Sequence, residues 1–199
     1  MKPVRAAAIA ICVGIAGSPV PLWAEEDTGS KRAEEGVTPA DETALDRLFA
    51  QLAEAGPEAW RPLQQEIVRT WSRSGSPSAD FLLRRGREAL SEGDIQAALD
   101  HSGAVTDHAP GFAEGWHLRA AALSRAERLG PALAAVQRAL ALEPRHFGAM
   151  LGLSTILQAM EEPEAALDVL RRAREIHPHH PELRQGIEGL EAIVGDRRA

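Results

Sequence analysis

The sequence predicts an all-α protein, a solenoid of stacked helix–turn–helix units with a helical pair at its N-terminus and a capping helix at its C-terminus. The main observation is a spacing of 34 residues, shown by three prolines: Pro110, Pro144 and Pro178. Three alanines recur at the same spacing: Ala98, Ala132 and Ala166. Two helices and a turn fit this length, and such a unit must stack on copies of itself to bury its apolar face. The composition agrees, because 44% hydrophobic residues with only 4% aromatic ones favour closely packed, alanine-rich helices.

The N-terminus has the organisation of a secretory signal peptide. Lys2 and Arg5 precede an apolar run over residues 6–17, and the small residue Ala24 precedes a charged segment. The run is much shorter than the ~20 apolar residues that cross a bilayer. We therefore expect cleavage of residues 1–24, export to the periplasm of a bacterial cell, and no membrane insertion after cleavage.

Charge and cysteine content exclude several classes of function. Removal of Lys2 and Arg5 with the signal would change the formal net charge from −7 to −9, which argues against binding to nucleic acid or anionic lipid. Cys12 lies inside the signal, so the mature chain would have no disulfide and no cysteine metal ligand. We find no phosphate-binding glycine loop, nucleophile elbow or paired zinc-ligand motif, and we predict no enzymatic activity and no cofactor.

The segments on either side of the repeats have distinct compositions. Residues 25–40 are charged, small or turn-forming, and we expect a flexible tether. Residues 41–76 predict a helical pair with Asp41 as the first N-cap and Pro57 opening the second helix. This pair is either a divergent repeat or an N-terminal cap, and its poor fit to the repeat register favours the cap. Residues 181–199 carry apolar side chains at a period of 3.6 and predict a solvating cap.

Residues 79–180 divide into three units: 79–112, 113–146 and 147–180. The fourth position of each unit is large: Leu82, Trp116 and Met150. The eighth position is small in each unit: Gly86, Ala120 and Ser154. The twenty-seventh is small or short: Val105, Ala139 and Ala173. With the recurring alanines and prolines, this pattern resembles tetratricopeptide repeats. Small residues allow close helix packing, while large ones fill the space toward the next unit.

Some positions depart from the family pattern. Arg85 and Arg119 occupy the seventh position, where the family usually has leucine. Gly93 keeps the usual turn between helices of the first unit, whereas Glu127 and Glu161 replace this glycine in the next two. We expect altered turns within retained helices.

The resemblance implies a right-handed superhelix whose concave face is lined by the first helix of each unit. Ligand-facing positions of the family correspond to fifteen residues here, Glu114 among them, and we assign eight of these to the peptide-binding groove: Leu83, Arg87, Leu90, His117, Arg125, Leu151, Thr155 and Gln158. This surface would hold an extended or helical peptide by apolar contacts, with Arg87 and Arg125 binding carboxylates or carbonyl oxygens. The family's clamp for chaperone C-termini needs lysine and asparagine, both absent after residue 40, so this binding mode is disfavoured.

A histidine-rich turn offers a second kind of site. His177, His179 and His180 carry imidazoles, which are good ligands for zinc or copper. Their position near the end of a predicted helix has another explanation, because histidines there interact favourably with the helix dipole.

These observations lead to one main hypothesis and three alternatives. The main hypothesis is a non-enzymatic, periplasmic adaptor or assembly factor that binds a protein segment in its groove. The first alternative, by analogy with related periplasmic proteins, is a helper in c-type cytochrome maturation that binds an apocytochrome segment. The others are a metal-buffering protein that uses the histidine turn, and a protein that self-associates as a homodimer.

Overall fold

The computed structural model describes residues 39–198, and this part of the chain is entirely helical apart from its turns. Its helices are α1 (Pro39–Glu54), α2 (Trp60–Trp71), α3 (Pro77–Glu92), α4 (Ile95–His108), α5 (Ala113–Arg125), α6 (Leu129–Leu142), α7 (Phe147–Ala159), α8 (Pro163–Ile176) and α9 (Pro181–Arg198). The predicted signal peptide and nearly all of the predicted tether lie outside the described residues. None of the described helices is long and apolar enough to span a membrane.

Three helical hairpins, α3–α4, α5–α6 and α7–α8, form the predicted units. Consecutive helices from α3 to α9 pack in order, and α5 also packs on α3 and α7, which is the stacking of a solenoid. The recurring alanines Ala98, Ala132 and Ala166 are fully buried and allow the helices to approach closely. The predicted all-α solenoid is therefore confirmed.

The turns inside the units keep one backbone form despite their different residues. Gly93 has a φ of 79°, and Glu127 and Glu161 adopt a similar left-handed conformation with φ values of 57° and 65°. In each unit the residue after this position donates its N–H to a carbonyl five residues earlier, for example from Arg128 to Leu123 at 2.9 Å. The helices are retained, as expected, but the prediction of altered turns at Glu127 and Glu161 was wrong. The turn geometry is the same in all three units, because these hydrogen bonds satisfy the last carbonyls of each first helix.

The N-terminal pair, α1 and α2, packs along the turns that join the later units. Its apolar cluster includes Leu45, Phe49 and Trp71 and extends to Phe147 at the start of α7 and Ile176 at the end of α8. This cluster contains no residue of α3 or α4. The sequence left open whether the pair is an end cap or a divergent repeat, and favoured the cap. In the structure the pair packs on both ends of the third unit, and Trp71 also contacts Glu143 and His146 at the end of the second, so it forms a brace along the side of these units.

The last helix covers the exposed end of the third unit. Leu183, Ile187 and Leu190 of α9 are buried in a cluster with Leu167 and Leu170 of α8. The opposite face of α9 is exposed, so this helix is the predicted solvating cap.

Two glycines in neighbouring helices allow a direct test of the close packing between units. A Cβ atom at Gly115 of α5 would collide with Cγ1 of Val105, a fully buried and stiff side chain of α4. We expect Gly115→Ala to lower the free energy of unfolding by about 1–3 kcal/mol. Urea unfolding followed by circular dichroism would measure this change.

Gly103, inside α4, is the matched control. A Cβ atom there has no neighbour within 4 Å, so Gly103→Ala should raise the free energy of unfolding by about 0.5–1 kcal/mol through helix propensity. Equal effects of the two substitutions would contradict the close α4–α5 approach.

Candidate functional site

The first helices of the three units carry the predicted groove residues side by side. Leu90 of α3 and Leu151 of α7 are half-buried, and three polar groove residues are exposed: Arg125, Thr155 and Gln158. Leu83 is only 1% exposed and packs in the core between α3, α4 and α5, so it is not accessible to a ligand. The prediction for Leu83 was wrong, because the inward side of α3 is needed for packing between units.

Arg87 and His117, the two remaining groove residues, belong to a polar network around a buried carboxylate. Its centre is Glu114 at the start of α5, whose side chain is only 8% exposed. One carboxylate oxygen, Oε1, accepts a hydrogen bond from Arg87 and lies 3.6 Å from Nδ1 of His117. The other, Oε2, lies 2.6 Å from Nε2 of His146. We call Arg87, Glu114, His117 and His146 the Glu114 network.

His146 connects the Glu114 network to the third unit and to the N-terminal pair. Its Nδ1 accepts a hydrogen bond of 3.1 Å from the backbone N–H of Ala149, which caps α7. Because Nδ1 is the acceptor, Nε2 carries the proton and donates it to Glu114. The indole of Trp71 stacks on the imidazole with 4.2 Å between ring centroids and 15° between ring planes.

The protonation states follow from burial and from these contacts. Burial alone would raise the pKa of Glu114, but the neighbouring His146 and His117 hold that pKa well below its usual value, so the carboxylate is ionised. Burial lowers the pKa of His146 despite the opposing effect of Glu114. A neutral His146 that donates from Nε2 agrees with its capping role.

Glu114, His117 and His146 also have the residue types of a metal site, with possible ligand atoms within 4.8 Å of one another. The hydrogen bonds argue against this use. Nε2 of His146 carries a proton and offers no lone pair, and Arg87 already supplies a positive charge to Glu114. The arrangement is therefore best described as a structural junction.

The residue spacing gave little indication of this junction. Glu114 and His146 are 32 positions apart, and neither forms a recognisable motif with Arg87 or Trp71. One sequence feature was informative: Glu114 is the second residue of one unit and His146 is the last, so both lie where units meet.

The histidine turn lies against the N-terminal pair. His177 and His180 are buried, while His179 is partly exposed. The His177 ring packs on Trp60 and on Phe147 at 5.2 Å between centroids in each case. Nε2 of His177 lies 2.9 Å from the amide oxygen of Gln64 in α2, whereas the Nδ1 atoms of His177 and His180 have no hydrogen-bond partner among the described residues. Two of the three metal candidates thus contribute to the interface with α2.

Burial controls the charge of this turn. Burial, with smaller contributions from His180 and His179, lowers the pKa of His177 to about 4. Burial also lowers the pKa of His180, opposed by Glu182. Both buried imidazoles are therefore neutral at neutral pH, as packing against Trp60 requires.

Comparison with known proteins identifies the family. The tetratricopeptide repeat family matches residues 123–187. A TPR repeat-containing protein of Rhizobium etli is 30% identical over 155 residues, which cover 77% of this chain and 76% of that protein. The chain therefore belongs to the tetratricopeptide repeat family.

Solved structures share this fold. The Sgt2 TPR domain from Aspergillus fumigatus superposes with a TM-score of 0.59 at 19% identity, covering 62% of this chain and 83% of that one. The TPR2B domain of yeast Sti1, solved in a pHsp70 complex, gives a TM-score of 0.55 at 24% identity, covering 59% and 98%. The fold and the family define this chain as a protein–protein interaction module, a class that is generally non-enzymatic.

The buried position of Glu114 gives a prediction for stability. Glu114→Gln keeps the shape of the side chain but removes the charge that Arg87 and His146 face. We expect the free energy of unfolding to fall by about 2–3 kcal/mol, as measured by urea unfolding.

The control substitution is Glu88→Gln, at an exposed carboxylate that pairs with Arg85 at 2.7 Å. A surface pair of this kind should contribute about 0.5 kcal/mol or less. A Glu114→Gln protein as stable as the Glu88→Gln protein would show that the Glu114 network does not hold the units together.

The low pKa of His177 predicts a loss of stability in acid. Between about pH 6.5 and pH 4 the unfolded chain binds a proton at this imidazole and the folded chain does not, so the free energy of unfolding falls as the pH falls. One such proton gives a slope of at most about 1.4 kcal/mol per pH unit.

The substitution His177→Gln removes this titration and retains a polar partner for Gln64. Urea unfolding at a series of pH values would give the free energy of unfolding as a function of pH. Its slope between about pH 4 and pH 6.5 should be smaller in the variant by up to about 1.4 kcal/mol per pH unit. Parallel curves for the two proteins would mean that His177 is not buried as a neutral imidazole.

Proposed function

We propose that this protein is an exported, periplasmic adaptor or assembly factor that binds a peptide or helical segment of a partner protein. The binding surface is the open part of the concave groove, formed by Leu90, Arg125, Leu151, Thr155 and Gln158 on α3, α5 and α7. The observation that carries the proposal is the accessible side chain of Arg125, which makes no ion pair with any described residue. An exposed guanidinium on α5 and half-buried leucines on the flanking helices α3 and α7 suit a segment that presents both charge and apolar groups.

The contacts distinguish Arg125 from Arg87, to which the sequence assigned the same role. Arg87 donates hydrogen bonds to Glu114 and, at 3.1 Å, to the hydroxyl of Ser72. Its guanidinium is therefore engaged within the chain. Arg125 is free to form a bidentate contact with a carboxylate, or to donate to backbone carbonyls. We assign ligand contact to Arg125 and support of the groove to Arg87.

The polar residues of α7 complete the surface. Thr155 donates its hydroxyl proton to the carbonyl of Leu151 at 3.1 Å, and the side-chain N–H group of Gln158 contacts Ser154 at 3.3 Å. These bonds hold both side chains on their own helix. Apolar contact with Leu90 and Leu151 would then supply most of the affinity, while Arg125 would select an acidic or extended segment.

The periplasmic location rests on the signal-like residues 1–24, and the protein partner rests on the family and on structures of the same fold. The yeast Sti1 domain is described as a complex with pHsp70. Residues 41–199 lack lysine and asparagine, so we expect that the bound segment is not a chaperone C-terminus.

A photo-crosslinking residue at Thr155 would test the proposal in the native cells, with captured proteins identified by mass spectrometry. We expect a small set of exported proteins in the periplasmic fraction. Arg125→Glu should reduce their capture by about tenfold or more, since charge reversal removes a charge-assisted contact.

The control is Arg174→Glu, at an exposed arginine of α8 outside the groove. It should leave capture unchanged. Equal capture with Arg125→Glu would refute the role of the groove, and recovery of only a second copy would favour the homodimer. Protein retained in the cytoplasm would refute export.

A further inference from the structure

A pocket of about 520 Å³ lies between α4, α5 and α6, away from the groove. Three residues of α5 line it: Trp116, Arg119 and Leu123. By the helical period these lie on the opposite side of α5 from His117 and Arg125. The pocket therefore belongs to the outer side of the solenoid and is independent of the proposed peptide groove.

The walls of this outer pocket combine apolar surface with positive charge. Its apolar part includes Leu99, Trp116 and Leu123, and its charged part is formed by Arg119, Arg128 and Arg138. None of its lining residues, all of which the structure describes, is acidic. The chain as a whole has a formal net charge of −7, so the three arginines form a positive patch on an otherwise acidic protein.

Two of these arginines have no internal partner. Arg128 and Arg138 are exposed, and neither makes an ion pair within residues 42–197. Arg119 is held in place, because its Nη1 donates a hydrogen bond of 2.6 Å to the hydroxyl of Thr106. Its guanidinium carbon lies 5.8 Å from the ring centroid of Trp116. The outer pocket thus offers one positioned cation and two that can move toward a ligand.

The next unit provides an internal comparison. The corresponding space, 34 residues later, is lined by Met150, Leu153, Val169 and Arg172 and has a volume of about 130 Å³. Leu153 stands where the outer pocket has Arg119, and Val169 stands where it has Ala135. The same stacking in the third unit therefore leaves a smaller space with one arginine. The outer pocket results from particular side chains of the second unit.

We propose that the outer pocket binds a small organic anion. Arg119, Arg128 and Arg138 would hold its carboxylate or phosphate group, since the planar guanidinium matches the geometry of both. Its apolar body would lie on Trp116 and Leu123. The volume falls in the range of pockets that take small ligands, about 300–1,000 Å³.

Nuclear magnetic resonance of the full mature chain can test this site with probes that share one apolar body. The probes are 2-naphthoate, 2-naphthyl phosphate and the cationic 2-naphthylmethylamine. We expect saturable shifts of the Trp116 indole N–H with at least one of the two anions, and not with the amine. The relative affinity of the two anions tells whether the pocket prefers a carboxylate or a phosphate.

The double substitution Arg128→Gln/Arg138→Gln should weaken anion binding by about tenfold or more, because it removes two charge-assisted contacts. Both residues are exposed, so the fold should persist. The matched control is Arg172→Gln, at the position of the third unit that corresponds to Arg138, and it should leave affinity unchanged. The proposal is overturned by no saturable shift with either anion at millimolar concentration, by equal binding of the amine, or by unchanged affinity in the double variant.

Discussion

The buried carboxylate of Glu114 is the interaction on which the arrangement of the units depends. An ionised group with 8% of its side chain exposed must be neutralised by nearby partners, because burial of an unpaired charge costs several kcal/mol. Its partners come from different units: Arg87 from the first, and His146 from the boundary between the second and the third. Apolar contacts between the helices are not directional. The hydrogen bonds to this carboxylate are, so they form only when its donors are in one relative arrangement.

His146 extends this control to the N-terminal pair. Its ring stacks on Trp71, and the neighbouring Arg145 lies over the ring of Phe49 at 4.4 Å and pairs with Asp46 at 2.6 Å. Near the other end of α2, His177 and His180 pack on Trp60. The pair therefore binds the solenoid at the turn between the second and third units and at the turn between the third unit and α9. Each unit of a solenoid otherwise contacts only its nearest neighbours. A brace of this kind should therefore restrict changes in the curvature of the solenoid and keep the groove in one shape.

The same helical framework carries two surfaces of different chemistry. The groove side of α5 presents the exposed Arg125, and the outer side presents Arg119 beside Trp116. The repeated small residues set the distance between helices, while the other positions are free to differ from one unit to the next. The second unit has Arg119 where the third has Leu153, and the same stacking leaves a charged pocket of about 520 Å³ in one and a space of about 130 Å³ in the other.

The residues alone predict the elements that depend on local spacing: the 34-residue units, their helices and the α9 cap. Helix periodicity and repeat spacing act over a few turns of chain, so they can be read from the residues. The burial of Leu83, the engagement of Arg87 and the position of the N-terminal pair follow instead from how the helices pack. These depend on contacts between distant residues, such as Gln64 with His177, 113 positions apart. No spacing rule encodes such contacts, because they arise from which charged and aromatic groups meet once the units have stacked.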